Sequence, residues 1–468
     1  MTAKALILAA GAGTRMKSDK PKVVHEVLGK PLVRWVVDAA HDAGIEDVVT
    51  VLGHMSEKVA PFVENDTKIA IQTQQLGTGD AVNAGREAFT QADGSIAEGS
   101  LVVLSGDCPL ITPETIQALI AKREETGAAV VVLTMHMDDP FGYGRIVREG
   151  EAVVRIVEQK DANEQEAAIT ECNSGFYCFD APALFDALSR VSNDNAQGEY
   201  YLTDVLEICR NDGREVLALQ TADAEEAMGV NSRVQLAQAT HAMQHRINNR
   251  HMMAGVTMWD PESTFIGPDV EIAQDVELWP QTYLLGTTKV GSHSVIGPNT
   301  RLTDTQVGCG ARVDETVAIE AQIDDAAECG PRAYLRPGTH LCEGAKAGTH
   351  VEIKKSTIGK GSKVPHLSYI GDTTMGENVN IGAGSITCNY DGVNKNHTEI
   401  GDNVFVGSDT MMVAPVNIGA GAIIGASSCI TRDVAPDALA LERADQREIE
   451  GWAAKHMAKL KAKKEAAK

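Results

Sequence analysis

The chain has 468 residues with a net charge of −23, 43 glycines and only 4 % aromatic residues. That length predicts two or three domains, and the acidic balance excludes a general nucleic-acid or acidic-membrane surface for the body of the protein. Nine cysteines without CxxC pairs or metal-ligand spacing argue against a secreted disulfide framework and for a reducing, cytoplasmic setting.

In chain order, the first segment, "MTAKALILAAGAG", has one lysine and an apolar run broken by glycines, so it reads as a buried strand rather than a signal sequence. No later stretch approaches the length of a membrane span. "KALILAA" (4–10), "DVVTVL" (47–52), "SLVVLSG" (100–106) and "AAVVVLT" (128–134) are short apolar runs that predict strands buried on both faces. "PLVRWVVDAAHDAG" (31–44) opens with proline and closes with glycine, which predicts a helix between the first two strands. Alternating strands and helices predict an α/β domain with a mainly parallel sheet over residues 1–230, its ligands beyond the carboxyl ends of the strands.

The glycine-rich stretch "LAAGAGTRMKSDKPKVVH" (8–25) suits phosphate, because backbone N–H groups can approach oxygens closely there. It is neither a dinucleotide fingerprint nor a P-loop, since Met16 replaces the third glycine and no Gly-Lys-Ser/Thr ends it. Arg15 and Lys22 just downstream supply cations suited to a triphosphate. Asp107, at the end of the third apolar run, is either a turn residue or a hard oxygen ligand for Mg²⁺. "QLGTGDA" (75–81) adds a second glycine loop before a helix.

From Asn231 the period turns helical, with Leu236, Ala239, Met243 and Ile247 on one face, which predicts a linking helix over 231–253. Beyond it the period becomes six. Ile266, Ile272, Leu278, Leu284, Val290, Ile296 and Leu302 keep one register, followed after a slip by Val307, Val313 and Ile319, and later by runs ending at Ile430. A parallel β-helix has that period: each hexapeptide forms one flat face and its aliphatic residue stacks on the coil below. About nine coils are expected over 266–434, within a domain spanning 254–434, with glycines beside the aliphatic positions permitting the corners. One insertion, "CNYDGVNKNHT" (388–398), interrupts the repeat, either as a tolerated loop or as a functional one. The remainder, 435–468, leaves the repeat. From Glu450 it carries six lysines against two glutamates, which predicts a solvated terminal helix.

"LILAAGAGTRM" with "PKVVH" resembles the signature of sugar-1-phosphate nucleotidylyltransferases, and "QTQQLGTGDA", "SGDCPL", "GYGRI", "IVEQKDA", "NSGFY", "AQGEYYLTD" and "GVNSR" follow in that family's order. The later "LRPG", "EIKKS", "KGSKVPHLSYIGD", "NIGAGSITCNYDGVNK" and "VFVGSDT" extend the resemblance over nearly the whole chain. Together they resemble the bacterial bifunctional N-acetylglucosamine-1-phosphate uridyltransferase and glucosamine-1-phosphate N-acetyltransferase family. The resemblance implies an α/β nucleotidyltransferase (Rossmann-like) domain plus a left-handed parallel β-helix of hexapeptide repeats. It also implies a homotrimer acting on small molecules, with neither nucleic acid nor membrane as partner.

For uridylyl transfer, the resemblance implies that Ala10, Gly11, Gln72, Gly77 and Thr78 hold the uridine of UTP, and that Arg15 and Lys22 meet its phosphates. Asp107 and Asn231 would hold Mg²⁺, and Gly144, Glu158, Asn173 and Thr203 the N-acetyl sugar. For acetyl transfer, His366 matches the general base, oriented by Glu352. Arg336, Lys354 and Lys395 form the cationic set for the sugar phosphate, with Tyr369 and Asn380 beside it. Ala383, Asn389, Tyr390, Ser408, Ala426 and Arg443 match acetyl-CoA contacts. A lone histidine in a β-helix is ordinarily a solvated corner residue; the matching cations around His366 favour the base, whose ordinary pKa suits it to that work. Zinc held between subunits by His340, His350 and His366 is the alternative, but their spacings do not repeat the close pair such a site resembles. Two rival readings remain: a nucleotidylyltransferase of other specificity with a β-helical scaffold, and a β-helix serving only trimerisation.

Overall fold

The computed structural model describes residues 3–150 and 152–467. They divide into two compact units. One runs to Arg250 and includes Phe265–Pro268; the other takes His251–Thr264 and continues from Asp269.

The first unit is built on a nine-stranded sheet. Its spatial order is Val216–Gln220, Val130–His136, Glu171–Asp180, Ser100–Ser105, Lys4–Ala9, Asp47–Leu52 and Lys68–Ile71, and the hairpin Arg145–Glu149/Ala152–Val157 branches from Glu171–Asp180. The four apolar runs all form strands, because Val, Ile and Leu at consecutive positions can be buried on both faces only inside a covered sheet. Glu171–Asp180 and the branching hairpin depart from parallel pairing: Glu171–Asp180 lies antiparallel between Ser100–Ser105 and Val130–His136, with a register shift between Asn173 and Tyr177. The helix Leu32–Asp42 covers one face through Leu32, Val33, Val36 and Val37, which are fully buried. The long helix Arg233–Met253 buries Ala239, Met243 and Ile247, and Arg246 Nη1 donates to Leu110 O at 2.8 Å.

The second unit is a left-handed parallel β-helix. Two- to four-residue strands stack into three sheets of eleven, ten and nine strands, each strand paired in parallel with its counterpart one coil on. The ladder begins at Thr257–Met258 and reaches Leu439–Ala440, so it contains more coils than the nine expected. The aliphatic residue of each repeat points inward, as at Leu284, Ile296, Ile353 and Val406, all fully buried. The register slips one repeat earlier than expected, after Val313: Ala318 is the buried residue of its repeat, and Ile319 is only partly covered. A second buried row lies two residues earlier, of small residues such as Ser294, Thr300, Ser362 and Ser385. Their hydroxyls serve the coil turns; Ser294 Oγ donates to Gly308 O at 2.8 Å and accepts from Ala311 N at 3.0 Å.

Glycine turns some of the corners with positive φ, as at Gly297 beside Ile296 and at Gly384. Many corners are turned by non-glycine residues with positive φ, among them Asp275, Asn299, Leu367, Asn378 and Asp409. Other glycines beside the aliphatic positions allow coils to pack closely: a Cβ on Gly291 would lie 2.6 Å from Gly308 C, and one on Gly401 2.6 Å from Ala420 N. The basic tail forms an exposed helix, Trp452–Ala466. Among the described residues no helix is long and apolar enough to cross a membrane.

Candidate active sites

In the first unit the strand ends converge on Lys22. Its Nζ donates to Asp107 Oδ2 and, at 2.9 Å, to Asn231 Oδ1. Asp107 is placed by the turn after Ser100–Ser105, and its carbonyl accepts from Val230 N at 2.9 Å, which brings Asn231 alongside. Lys22 is seated by Gly13, where a Cβ would lie 2.5 Å from Lys22 Cβ. Gly13 has φ 64°, so both the dihedral and the space call for glycine. Two oxygens from different elements thus aim at one cationic group. That donor set fits Mg²⁺, which takes hard oxygens and leaves its remaining positions to water and phosphate.

The nucleotide-side residues form a neighbouring group. Gln72, on the buried side of its loop, donates through Nε2 to Gly77 O at 3.2 Å and to Asp80 Oδ2 at 2.8 Å. Gly77 has φ 116°, and a Cβ there would lie 2.6 Å from Tyr200 O. Thr78 Oγ1 accepts from Leu202 N at 3.1 Å. Ala10 is buried and its carbonyl accepts from Gln75 Nε2 at 2.8 Å; Gly11 and Arg15 are exposed. The resemblance did not assign Gln75 a role, although it lies within the quoted "QTQQLGTGDA".

The four sugar candidates also come together. Gly144 O accepts from Asn173 N at 2.9 Å, and a Cβ on Gly144 would meet Ile156, Asn173 and Glu158. Thr203 Oγ1 donates to Glu158 Oε1 at 3.4 Å. Burial pushes the Glu158 carboxyl above the ordinary range, against the Thr203 hydrogen bond that favours the ionised form. Beneath them Asn173 Nδ2 donates to the buried Tyr177 hydroxyl at 2.7 Å, a support that only the fold makes visible.

In the β-helix, one corner collects the acetyl candidates. His366, Ala383, Ser408 and Ala426 each directly precede a left-handed residue: Leu367, Gly384, Asp409 and Ser427. Their carbonyls join successive coils, accepting from Gly384 N at 3.4 Å, Asp409 N at 2.7 Å, Ser427 N at 2.8 Å and Arg443 Nη1 at 3.0 Å, respectively. The proposed base therefore stands in one column with three proposed acetyl-CoA contacts. The His366 side chain is exposed.

The adjacent face carries the polar sugar candidates. Tyr334–Leu335, Glu352–Lys354 and Tyr369–Gly371 are consecutive strands in it, which stacks Arg336 near Lys354 and Glu352 beside Tyr369. Glu352 Oε1 accepts from Arg336 Nη1 at 2.8 Å, and among the described residues of the single chain it makes no hydrogen bond to His366. Asn389, buried, donates through Nδ2 to Asp372 Oδ2 at 2.5 Å and to the Tyr369 hydroxyl at 3.5 Å. The inserted loop is ordered by Asp391, which accepts from Asn394 N at 2.7 Å and Val393 N at 2.9 Å; these bonds hold its carboxyl well below the usual range. The loop presents Lys395 Nζ 3.9 Å over the Tyr390 ring. Asn380 lies on the eleven-stranded face, in the strand beside Lys363–His366 and opposite Lys363. Within one chain, among the described residues, His340 groups with Asp324 and Cys342.

Residues 5–200 match the MobA-like NTP transferase domain, and 397–432 the bacterial transferase hexapeptide (six repeats). The "Bifunctional protein GlmU" of Streptomyces coelicolor is 51 % identical over 97 % of this chain and 94 % of its own. That of Streptomyces avermitilis is 50 % identical at the same coverage, and that of Syntrophotalea carbinolica 50 % identical over 98 % of both chains. The chain belongs to the bifunctional GlmU family. It is a bifunctional transferase: its hexapeptide half acetylates glucosamine-1-phosphate, and its nucleotidyltransferase half transfers uridylyl to the N-acetylated product.

Proposed function

We propose that residues 1–230 hold the uridylyl site with Asn231 added from the linker (231–253), that 254–434 hold the acetyl site, and that 435–468 form an arm supplying Arg443. The reading rests most on the meeting of Lys22, Asp107 and Asn231, three groups separated by up to 209 positions in sequence. Asp107 and Asn231 hold Mg²⁺, which when bound offsets phosphate charge. Lys22 leaves its carboxylate for the incoming triphosphate, with Arg15 beside it. The uridine sits against Ala10, Gly11, Gln72, Gly77 and Thr78. Gly144, Glu158, Asn173 and Thr203 orient the sugar so that its phosphate oxygen attacks the α-phosphorus in line and pyrophosphate leaves. Positioning and charge neutralisation drive that reaction, and no protein nucleophile is needed.

At the second site His366 takes a proton from the sugar amine as nitrogen attacks the thioester of acetyl-CoA, and hands it to the departing coenzyme A thiolate, which leaves as the thiol. Arg336, Lys354 and Lys395 hold the phosphate, while Tyr369 and Asn380 position the ring. Ala383, Asn389, Tyr390, Ser408, Ala426 and Arg443 bind acetyl-CoA. A homotrimer is favoured by the exposed stripe Phe405, Ile423 and Leu439, stacked on three successive coils and 50 %, 48 % and 64 % exposed. Apolar side chains aligned this way gain from cover by a second copy. Nine free thiols fit a cytoplasmic location. The test follows thiol release from acetyl-CoA and pyrophosphate release from UTP in parallel. His366→Ala should remove the first and spare the second, and Asp107→Ala the reverse. Loss of both in either folded variant would overturn the assignment.

A further inference from the structure

The third face of the β-helix carries neither set of transferase candidates, but it holds a group of donors of three kinds. Gln322–Ile323 and His340–Leu341 are neighbouring strands, with Gln322 opposite His340 and Ile323 opposite Leu341. Leu341 is fully buried, so by strand alternation His340 and Cys342 on either side of it face outward. Asp324, the residue after Ile323, comes level with Cys342 on the adjoining coil. His340 Nε2 lies 2.7 Å from Asp324 Oδ2 and 3.9 Å from Cys342 Sγ, and the three donor atoms are all within 4.8 Å of one another.

We propose that Asp324, His340 and Cys342 bind one zinc ion that clasps two successive coils. Nitrogen, thiolate and carboxylate are the three ligand types zinc accepts, and a tetrahedral ion with bonds of about 2.0–2.3 Å needs its donors about 3.3–3.7 Å apart. The observed separations reach that geometry by small side-chain adjustments, with the fourth position left to water. Charge also balances: a neutral imidazole, one carboxylate and one thiolate offset the two positive charges of the ion. The thiol proton is released on binding, as metal–thiolate formation requires. The free oxygen of Asp324 is already engaged, since Oδ1 accepts from Gln322 Nε2 at 2.8 Å, the kind of outer support that aims a metal ligand. All three donors are half-buried, open enough for an ion to enter.

The experiment titrates cobalt(II) into the reduced, chelator-treated full-length protein and reads the absorption spectrum. One equivalent per chain should produce a thiolate-to-cobalt charge-transfer band and an intense tetrahedral visible band, both erased by zinc. Cys342→Ser should abolish the thiolate band, and His340→Ala or Asp324→Asn should abolish saturable tetrahedral binding. Gln322→Ala should retain the spectrum but weaken affinity by about tenfold. Circular dichroism and thiol release from acetyl-CoA confirm that the β-helix of each variant is folded. Absence of a thiolate band, or its persistence in Cys342→Ser, would overturn the proposal and leave His340–Asp324 as a simple ion pair beside an uninvolved thiol.

Discussion

The two candidate sites differ in how much of each is already fastened within one chain. At the uridylyl site Lys22 and Asp107 are only 14 % and 16 % exposed, and each is held by a partner from a distant segment. At the acetyl site Arg336 and Glu352 are 38 % and 40 % exposed, and His366 stands on an open corner. An α/β fold gathers strand ends and loops into one crevice, so a single chain can surround a substrate. A β-helix presents flat outer faces, so its candidate side chains line an open surface. In the proposed homotrimer, one polypeptide would carry a self-contained site and a second one completed by a neighbouring copy.

That contrast can be broken first at the chemistry. His366→Ala should lower acetyl transfer by about 10²–10⁴-fold, the span of a lost general base, and leave uridylyl transfer unchanged in a pyrophosphate-release assay. Asp107→Ala should cost uridylyl transfer about 10²–10³-fold, with acetyl transfer intact. A smaller effect distinguishes the scaffolds: Gly401→Ala forces a methyl group against the next coil and should destabilise the β-helix by about 1–3 kcal/mol, measured by urea unfolding followed on that domain. The subtlest is a pH effect. Because burial raises the Glu158 carboxyl, lowering pH should protonate it earlier than an ordinary carboxylate and remove its acceptor oxygen, so the KM for the sugar phosphate should rise on acidification. Glu158→Gln should flatten that rise; an unchanged profile would exclude Glu158 from sugar binding.

Much of this molecule was legible in its residues, and the limits were physical. Unbroken Val, Ile and Leu runs disclosed the parallel strands of the first half, while Glu171–Asp180 escaped because its glycine, serine and asparagine interrupt the pattern and its register shifts between Asn173 and Tyr177. The six-residue period exposed the β-helix, yet could not choose between Ala318 and Ile319 where three apolar residues adjoin. Partners across coils were hidden for a further reason. Glu352 meets Arg336 sixteen residues away and His340 meets Asp324 at the same separation, an interval set by coil length and its slips rather than by local spacing. Matching motifs named the candidate residues of both sites, and the fold supplied their neighbours, such as Gln75, Tyr177 and Asp372.

The contrast between a self-contained and a shared site is tested most directly by measuring both rates per chain while the oligomer is diluted apart, with mild urea bringing dissociation into range and sedimentation reporting assembly. Acetyl transfer should fall in proportion to the assembled fraction, while uridylyl transfer per chain stays constant. An isolated chain that acetylates at the full rate would contradict the account.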